Sequence, residues 1–137
     1  MRSVYDGILQ KRALDPVATD TANNGVAIDT KGFNSCVFTI QNGVATGTPT
    51  SYTVDAKVQE CDTSGGTYAD VSGATITQII ANSKEAVIRV EGLGTSRKRY
   101  LRVVVTAAMT GGTAPKALVS ALCSLGRAYR EPVSNVT

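Results

Sequence analysis

The sequence predicts an all-β protein: an antiparallel β-sandwich of the jelly-roll or immunoglobulin-like kind, with an extended N-terminal arm. The 137 residues are the length of one domain, and 42% hydrophobic with 18% charged content is typical of a globular chain. Asn-Gly and Gly-Gly pairs recur along the chain, and such pairs supply the positive φ that tight turns need. Between them, apolar and polar residues alternate with a period of two, which indicates short antiparallel strands.

The strand period is clearest in residues 52–60, where Tyr52, Val54 and Ala56 alternate with polar neighbours. This alternation is typical of a strand with one buried and one solvated face. Further strands are predicted at residues 35–41, 86–91 and 99–107, with shorter ones at 27–30 and 75–80.

Residues 116–126 fit two patterns. Leu118 and Leu122 belong to a helical stripe, whereas Val119 and Cys123 belong to a strand alternation. We predict a strand, because a sandwich of this length needs a closing strand, and a helix is the alternative.

The two ends of the chain differ from the middle. Residues 1–22 show no clear strand period and are interrupted by Pro16, so we predict an arm with a short helical turn around residues 6–14. The sandwich domain is then residues 23–128, and the polar tail is residues 129–137. Ends of this kind are either frayed or held by a neighbouring subunit.

Three cysteines and no histidine limit the chemistry. An odd, widely spaced set of cysteines without a CxxC pair predicts neither a disulfide framework nor a zinc site. Cys36 and Cys123 lie in apolar runs and are predicted core residues, whereas Cys61, at a strand end, is expected to be partly exposed. The missing histidine excludes His-based general acid/base catalysis and His-ligated metals. No apolar run has the length of a signal peptide or a membrane span, so we expect folding in a reducing cytosol.

The remaining candidate motifs predict turns. Gly92 and Gly94 form a Gly-x-Gly, but Arg97 stands where a dinucleotide loop needs its third glycine, so we predict a hairpin turn. Asp62 and Asp70 flank a short loop and could face each other as in a glycosidase or bind Ca²⁺, but turn formation explains them better. We therefore predict no catalytic, cofactor-binding or metal-binding residues, and no enzymatic activity.

Charge is distributed unevenly. Residues 1–83 carry five basic and eight acidic side chains, and residues 84–137 carry nine basic and three acidic ones. The densest basic run is residues 97–102, which contains one aromatic ring, Tyr100. Proteins that bind single-stranded nucleic acid usually offer several stacking rings, so this run favours a solvated strand start or an acidic protein partner over nucleic acid.

Three stretches together are similar to a known class of protein. They are residues 27–35 (AIDTKGFNS), 58–71 (VQECDTSGGTYADV) and 97–103 (RKRYLRV). In order and spacing they cover roughly residues 26–126, and they resemble the small head proteins of tailed phages and prophages, of the decoration, cement or minor capsid class. The resemblance implies a β-sandwich, often trimeric, on the outer capsid surface where capsomers meet, stabilising the expanded shell against internal DNA pressure.

The resemblance also implies partners and a location. We expect the partners to be the major capsid protein and further copies of the chain itself, as a homo-oligomer with a trimer favoured, and neither a membrane nor nucleic acid. The protein would be made in the host bacterial cytoplasm and reside on the virion. The hypothetical partner-binding residues are Arg2, Lys11 and Arg12 in the arm and Arg97, Lys98, Arg99 and Arg102 in the basic run.

Two alternatives stay open. One is a neck or tail component of the same virion, because the hairpin in residues 58–71 occurs in both settings. The other is a carbohydrate-binding adhesion module, for which the available rings are Tyr52, Tyr68, Tyr100 and Tyr129.

Overall fold

The computed structural model describes residues 3–129 and shows a β-sandwich of two antiparallel sheets. One short helix, α1 (Val4–Gly7), precedes the strands. The strands are β1 (Ile8–Thr19), β2 (Ala22–Asn24), β3 (Ile28–Asp29), β4 (Phe33–Asn42), β5 (Ser51–Cys61), β6 (Ala69–Thr75), β7 (Glu85–Glu91), β8 (Tyr100–Thr110) and β9 (Ala117–Ala128). No helix in this part of the chain has the length and apolar character needed to cross a membrane.

The strand order is that of a jelly roll. Sheet A has the order β1-β9-β4-β7, and sheet B has the order β2-β8-β5-β6, with β3 also paired to β8. Since β2 and β3 follow each other along β8, they are two pieces of one interrupted strand. The eight resulting strands pass repeatedly between the two sheets, as in the double Greek key of a jelly roll. The predicted all-β sandwich is thus confirmed, and the topology selects the jelly-roll form of it.

The core lies between the inner faces of the two sheets. Phe38 and Ile40 of β4 and Leu125 of β9 are fully buried against Leu101 and Val103 of β8. Each large side chain buried in this way contributes about 1.5–3 kcal/mol of hydrophobic free energy. The predicted strands 35–41, 52–60 and 86–91 lie within observed strands, and 99–107 begins one residue before β8, because their period of two matches this burial.

The cysteine predictions are confirmed at two positions and wrong at one. Cys36 and Cys123 are core residues on neighbouring strands, with 1% and 0% exposure. The hydrogen bond from Cys36 and burial both raise the pKa of the Cys123 thiol far above its ordinary value, which keeps it unreactive. Cys61 is buried rather than partly exposed, because the β5–β6 hairpin loop folds back over it and brings Gly66 against its sulfur.

The prediction of an N-terminal arm is wrong for residues 8–19. This segment is β1, an edge strand of sheet A paired along its length with β9. Its register shifts between Arg12 and Leu14 and again between Leu14 and Val17, so its apolar residues do not keep a period of two. The sandwich therefore begins at Ile8 rather than at residue 23. The helical turn is α1, not residues 6–14, and most of the predicted tail, residues 130–137, lies outside the described part.

The two uncertain strand assignments have opposite outcomes. Residues 117–128 form β9, which confirms the predicted closing strand, because β1 and β4 both pair with it and satisfy its backbone. The short strand predicted at 75–80 is wrong. The strand here is β6, which ends at Thr75, and beyond it Ile79 forms a single bridge to Val54 of β5.

Candidate functional site

The three stretches 27–35, 58–71 and 97–103 that the sequence singled out meet at one end of the sandwich. The start of β8 lies between β3 and the end of β5, so Tyr100 is paired with Asp29 on one side and Cys61 on the other. The hydroxyl and amide of Thr30 both donate to the carbonyl of Arg99, at 2.5 and 3.0 Å. We call the charged side chains gathered here, on residues 29, 60, 62, 97–99 and 102, together with the amide of Gln59, the end cluster.

A tight turn at residues 92–97, which contains positive-φ glycines, positions the basic run at this end of the sandwich. Gly92 and Gly94 adopt φ of 76° and 82°, which glycine reaches without steric cost. The amides of Thr95, Ser96 and Arg97 all donate to the carbonyl of Gly92. The predicted hairpin turn is therefore wrong in one respect: the tight turn carries the chain from β7 in sheet A across to β8 in sheet B.

Asp29 and Arg99 form the tightest ion pair of the end cluster. Arg99 donates from Nε and Nη2 to the two carboxylate oxygens of Asp29, at 2.9 and 2.7 Å. This hydrogen bonding, with help from the backbone amide of Lys31, lowers the pKa of Asp29 and raises that of Arg99. Both side chains are about half exposed, Asp29 at 45% and Arg99 at 47%, so water weakens the attraction.

Glu60 and Asp62 neutralise Arg97 and Lys98, the two cations that precede Arg99 in the chain. A carboxylate oxygen of Glu60 accepts the backbone amide of Lys98 at 3.1 Å and lies 3.6 Å from Nη1 of Arg97. The side chain of Lys98 extends to Asp62, with 3.8 Å between Nζ and Oδ2. Glu60, with 14% side-chain exposure, thus anchors the start of β8 to the end of β5.

Arg102, the last cation of the basic run, contacts the β5–β6 hairpin. Its guanidinium lies 4.2 Å from the ring centroid of Tyr68, and its Nε donates to Oε1 of Gln59 at 2.9 Å. Gln59 in turn donates to Asp70 at 2.8 Å, and Lys57 donates to the same carboxylate at 3.0 Å. These two hydrogen bonds lower the pKa of Asp70.

All four cations of the basic run therefore have partners within the chain. Their neighbours include the acidic side chains of Asp29, Glu60 and Asp62, so the end cluster is close to neutral. Contact of this run with an acidic partner protein stays a prediction, but the cations already serve to join β3, the β5–β6 hairpin and β8.

The remaining predicted partner-binding residues lie elsewhere. Lys11 and Arg12 are exposed on β1 of sheet A, whereas the basic run belongs to sheet B, and Arg12 pairs with Asp15 at 2.7 Å. Arg2 lies outside the described residues.

The carboxylates and rings considered for other chemistry have structural roles. Asp62 and Asp70 bind Lys98 and Lys57 rather than facing each other. Among residues 3–129, no group of three or more His, Cys, Asp or Glu side chains is arranged to hold a metal ion.

Of the four tyrosines considered for carbohydrate binding, one stays open to solvent. Tyr52 is buried and donates to Asn82 at 2.6 Å, and Tyr68 and Tyr100 lie under arginines. Tyr129 is 59% exposed.

The outer face of sheet A is a feature that sequence reasoning did not single out. On its two central strands, the outward side chains that follow the alternation carry no charge, and the charged Arg127 is exposed near the end of β9. The uncharged residues are Ser35, Val37, Thr39 and Gln41 on β4 and Leu118, Ser120, Leu122, Ser124 and Gly126 on β9. Val87 on β7 adds a further exposed apolar side chain, at 60% exposure. The same alternation that identified the strands separates the residues of this face from those of the core. Which of the two alternate sets packs inward depends on the partner sheet.

Comparison with known proteins gives fold likeness only. No family model matches the chain, and no curated protein matches it. Among solved structures, the SPBc2 prophage-derived protein YomS aligns with 12% identity over 85% of this chain and 92% of its own, at a TM-score of 0.43. A Bacillus endospore appendage pilus protein aligns with 17% identity over 88% of both chains, at 0.40. The xylanase 10B CBM22-1–GH10 modules of Clostridium thermocellum align with 11% identity over 97% of this chain and 28% of theirs, at 0.42. At these scores none of them carries a functional argument.

Proposed function

We propose that the chain is a structural virion protein, a decoration or cement subunit that binds the outer surface of a phage head and stabilises the shell. One observation carries this proposal: the three stretches of the resemblance are joined to one another residue by residue. Asp29 pairs with Arg99 across 70 positions, and Glu60 joins the second stretch to the third through Arg97 and Lys98. The three stretches are therefore parts of neighbouring strands and their connections, so the resemblance covers one continuous region of the fold.

The interlocked end suits a load-bearing role. A cement subunit acts by adding contacts between neighbouring capsomers, so it must keep its shape while force is applied to it. The end cluster fixes β3, the β5–β6 hairpin and the crossover from β7 to β8 with ion pairs and a cation–π contact. Many weak contacts become strong when several copies act together on one shell. The function requires no catalysis, and we propose none.

A neck or tail component of the same virion is the second candidate, because the β5–β6 hairpin that carries part of the resemblance is common to both settings. Carbohydrate binding is less well supported. Glycan sites stack sugars on exposed rings, and three of the four proposed tyrosines are buried or covered by arginine.

The copy number in purified virions tests the proposal. Quantitative mass spectrometry would compare peptides of this chain with peptides of the major capsid protein. A number comparable to the capsid protein is the expected result and indicates a shell-wide decoration. A single ring of copies would assign the protein to the neck or tail, and absence from particles would overturn both virion functions.

A further inference from the structure

The edge strands of the two sheets differ in regularity. On sheet A, the edge strand β1 has two register shifts and contains Pro16. On sheet B, the edge formed by β2 and β3 is interrupted, and β6 has a register shift and a positive φ of 77° at Gly73. Such features prevent another strand from pairing with an edge. The other edge strand of sheet A, β7, has none of them, since its register with β4 runs from Glu85 to Glu91 without a shift.

Alternate backbone groups of β7 point away from the sheet. The amide of Asn42 donates to the carbonyl of Lys84 at 3.0 Å, so Lys84 and every second residue after it direct their N–H and C=O groups toward β4. The N–H and C=O groups of Glu85, Val87 and Arg89 therefore point outward, where β7 has no neighbouring strand within residues 3–129. An open groove of about 330 Å³ separates β7 from β6. This edge is thus accessible to a further strand.

The outward side chains of β7 carry opposite charges on the two sides of a central valine. Glu85, Val87 and Arg89 follow one another on this face, and Val87 is 60% exposed. Within the described chain, the carboxylate of Glu85 has no ion pair, and Arg89 has a long one, with 3.8 Å between its Nε and Oε1 of Glu91. An acidic and a basic side chain therefore lie at equal distances from Val87 along the strand.

We propose that β7 pairs antiparallel with β7 of a second copy of this chain, so that the two sheets A become one continuous sheet. The two-fold axis is perpendicular to the sheet and passes between the two Val87 residues. Each Glu85 then lies opposite the partner's Arg89. The Val87 pair and both Glu85–Arg89 pairs are of the type that exchanges two backbone hydrogen bonds. This inference does not depend on the proposed virion role.

Backbone direction and charge together select this register. A slide of one residue would set outward-pointing groups against groups that point toward β4, which removes the hydrogen bonds. A slide of two residues in one direction places Glu85 opposite the partner's Glu91, where like charges repel, and in the other direction it places Glu85 opposite Val87. A register that sets Arg89 opposite the partner's Glu91 extends into Gly92, whose φ of 76° ends the strand.

The length of β7 sets the expected strength. Seven residues at about 3.3 Å each make the edge about 23 Å long. One strand pair with one row of side chains buries less than the roughly 1,200 Å² at which stable specific interfaces begin. We therefore expect a dissociation constant of about 10–200 µM, so that pairs form where copies are concentrated.

Charge reversal on β7 tests both the pairing and its register. Sedimentation velocity of the full chain from about 10 to about 500 µM should show the wild type shifting from monomer to dimer. Glu85→Arg brings arginines together on both sides of the axis, and Arg89→Glu brings carboxylates together. Each variant alone should therefore associate at least about tenfold more weakly than the wild type. An equimolar mixture of the two should form dimers again, because positions 85 and 89 of one chain then meet opposite charges on the other.

Lys31→Glu is the matched control for Arg89→Glu. Lys31 is exposed, lies outside the strands and undergoes the same change of charge. This variant should associate within about twofold of the wild type. A mixture of Lys31→Glu with Glu85→Arg has the same net charges as the first mixture, but the arginine introduced at position 85 still meets Arg89, so mixed dimers should be fewer. Circular dichroism would verify that all variants are folded.

Each outcome supports or overturns the proposal. A wild type that stays monomeric at about 500 µM overturns it, as does a dimer that both β7 variants leave unchanged. Variants that associate weakly alone and stay monomeric when mixed would contradict the proposed register. Equal dimer formation in the two mixtures would show that net charge rather than strand pairing drives association, and a wild-type trimer would contradict the two-fold axis.

Discussion

Asn42 is a buried polar residue whose side-chain nitrogen and oxygen both have hydrogen-bond partners. It is 7% exposed, and its amide donates to the hydroxyl of Tyr52 at 3.1 Å and to the carbonyl of Ala81 at 2.9 Å. Its side-chain oxygen accepts the amide of Lys84, at 2.9 Å. Three hydrogen bonds from one buried side chain fix the connection between β6 and β7 to the end of β4.

Asn42→Ala should lower the free energy of unfolding by about 2–3 kcal/mol, because it leaves the Lys84 amide and the Ala81 carbonyl without their partner. Urea denaturation measures the loss. Asn24→Ala is the matched control, since Asn24 is exposed on β2, and it should change stability by less than about 0.5 kcal/mol. Similar losses in the two variants would contradict the assigned role.

Asp29 should give stability a dependence on acid pH. Its pKa in the folded chain is lowered, chiefly by the hydrogen bond from Arg99. The ion pair therefore stabilises the fold above the unfolded pKa of about 3.9, and this contribution is lost as pH falls through the lower folded pKa. Both groups are half exposed, so we expect no more than about 1 kcal/mol.

Thermal melts of the wild type and of Asp29→Asn between about pH 6 and pH 2 measure this difference. The variant should be less stable near neutrality, and the two melting temperatures should converge in acid. A constant difference over the whole range would show that the carboxylate charge is not the cause.

At the scale of single elements, β1 is a strand that the sequence pattern did not predict. Ala13 and Leu14 are core residues at 0% and 7% exposure, and the amide of Val26 donates to the carbonyl of Ala13 at 2.8 Å. Removing β1 would expose both the inner residues it covers and the backbone edge of β9. A true arm could be removed without such effects.

Deletion of residues 1–19 should therefore prevent stable folding, because it opens the core and creates a long unprotected edge. Solubility and far-ultraviolet circular dichroism after expression measure the result. Deletion of residues 1–2, which keeps Ser3 as the N-cap of α1, is the control and should leave the melting temperature nearly unchanged. A soluble, cooperatively melting chain without residues 1–19 would show that β1 is dispensable.

The turn between β7 and β8 depends on glycine. Gly92 has φ of 76°, and a Cβ at this position would lie 2.4 Å from Oγ of Ser96. Gly92→Ala should destabilise the fold by about 1–2 kcal/mol, since the backbone strain adds to that contact. Gly65→Ala, with nothing within 4 Å of the new Cβ, should be nearly neutral in the same urea titration. Equal behaviour of the two variants would contradict the assigned strain.

At the scale of the whole molecule, the cations of the end cluster have two candidate roles. They form internal ion pairs, and they are also the residues predicted to contact the capsid. Arg99→Asp breaks the pair with Asp29 and reverses a charge. The swap variant Asp29→Arg with Arg99→Asp restores an opposite-charge pair at the same place. We expect both stability and occupancy on particles to recover in the swap, because the structure shows each of these cations already paired.

Occupancy on heads that lack the wild-type protein, measured beside melting temperature, separates the two explanations. Recovery of stability without recovery of occupancy would show that the guanidinium of Arg99 contacts the capsid directly. That outcome would support the partner-binding hypothesis for this residue.

The sequence by itself determined the class of fold and most of its strands. A period of two survives wherever a strand has one face in the core and one in water, and this holds for β4, β5, β7 and β8. It failed for β1, whose two register shifts break the period, and for β6, whose end is set by its pairing with β5. These features depend on the neighbouring strand, and a single-strand pattern does not contain the neighbour.

The candidate sites, too, were predicted in part from the sequence and in part decided by the tertiary structure. The stretches 27–35, 58–71 and 97–103 could be picked out in the sequence. The sequence did not show which of their charged side chains pair with one another. Only the tertiary structure placed Asp29, Glu60 and Asp62 beside the basic run, where they pair with its cations. It also decided that the side of β4 and β9 that carries Thr39 and Leu122 faces outward, because packing against sheet B chooses which alternate residues are buried. Alternation and local turns are properties of a segment, whereas charge pairing and the choice of a buried face arise from contacts between segments distant in the chain.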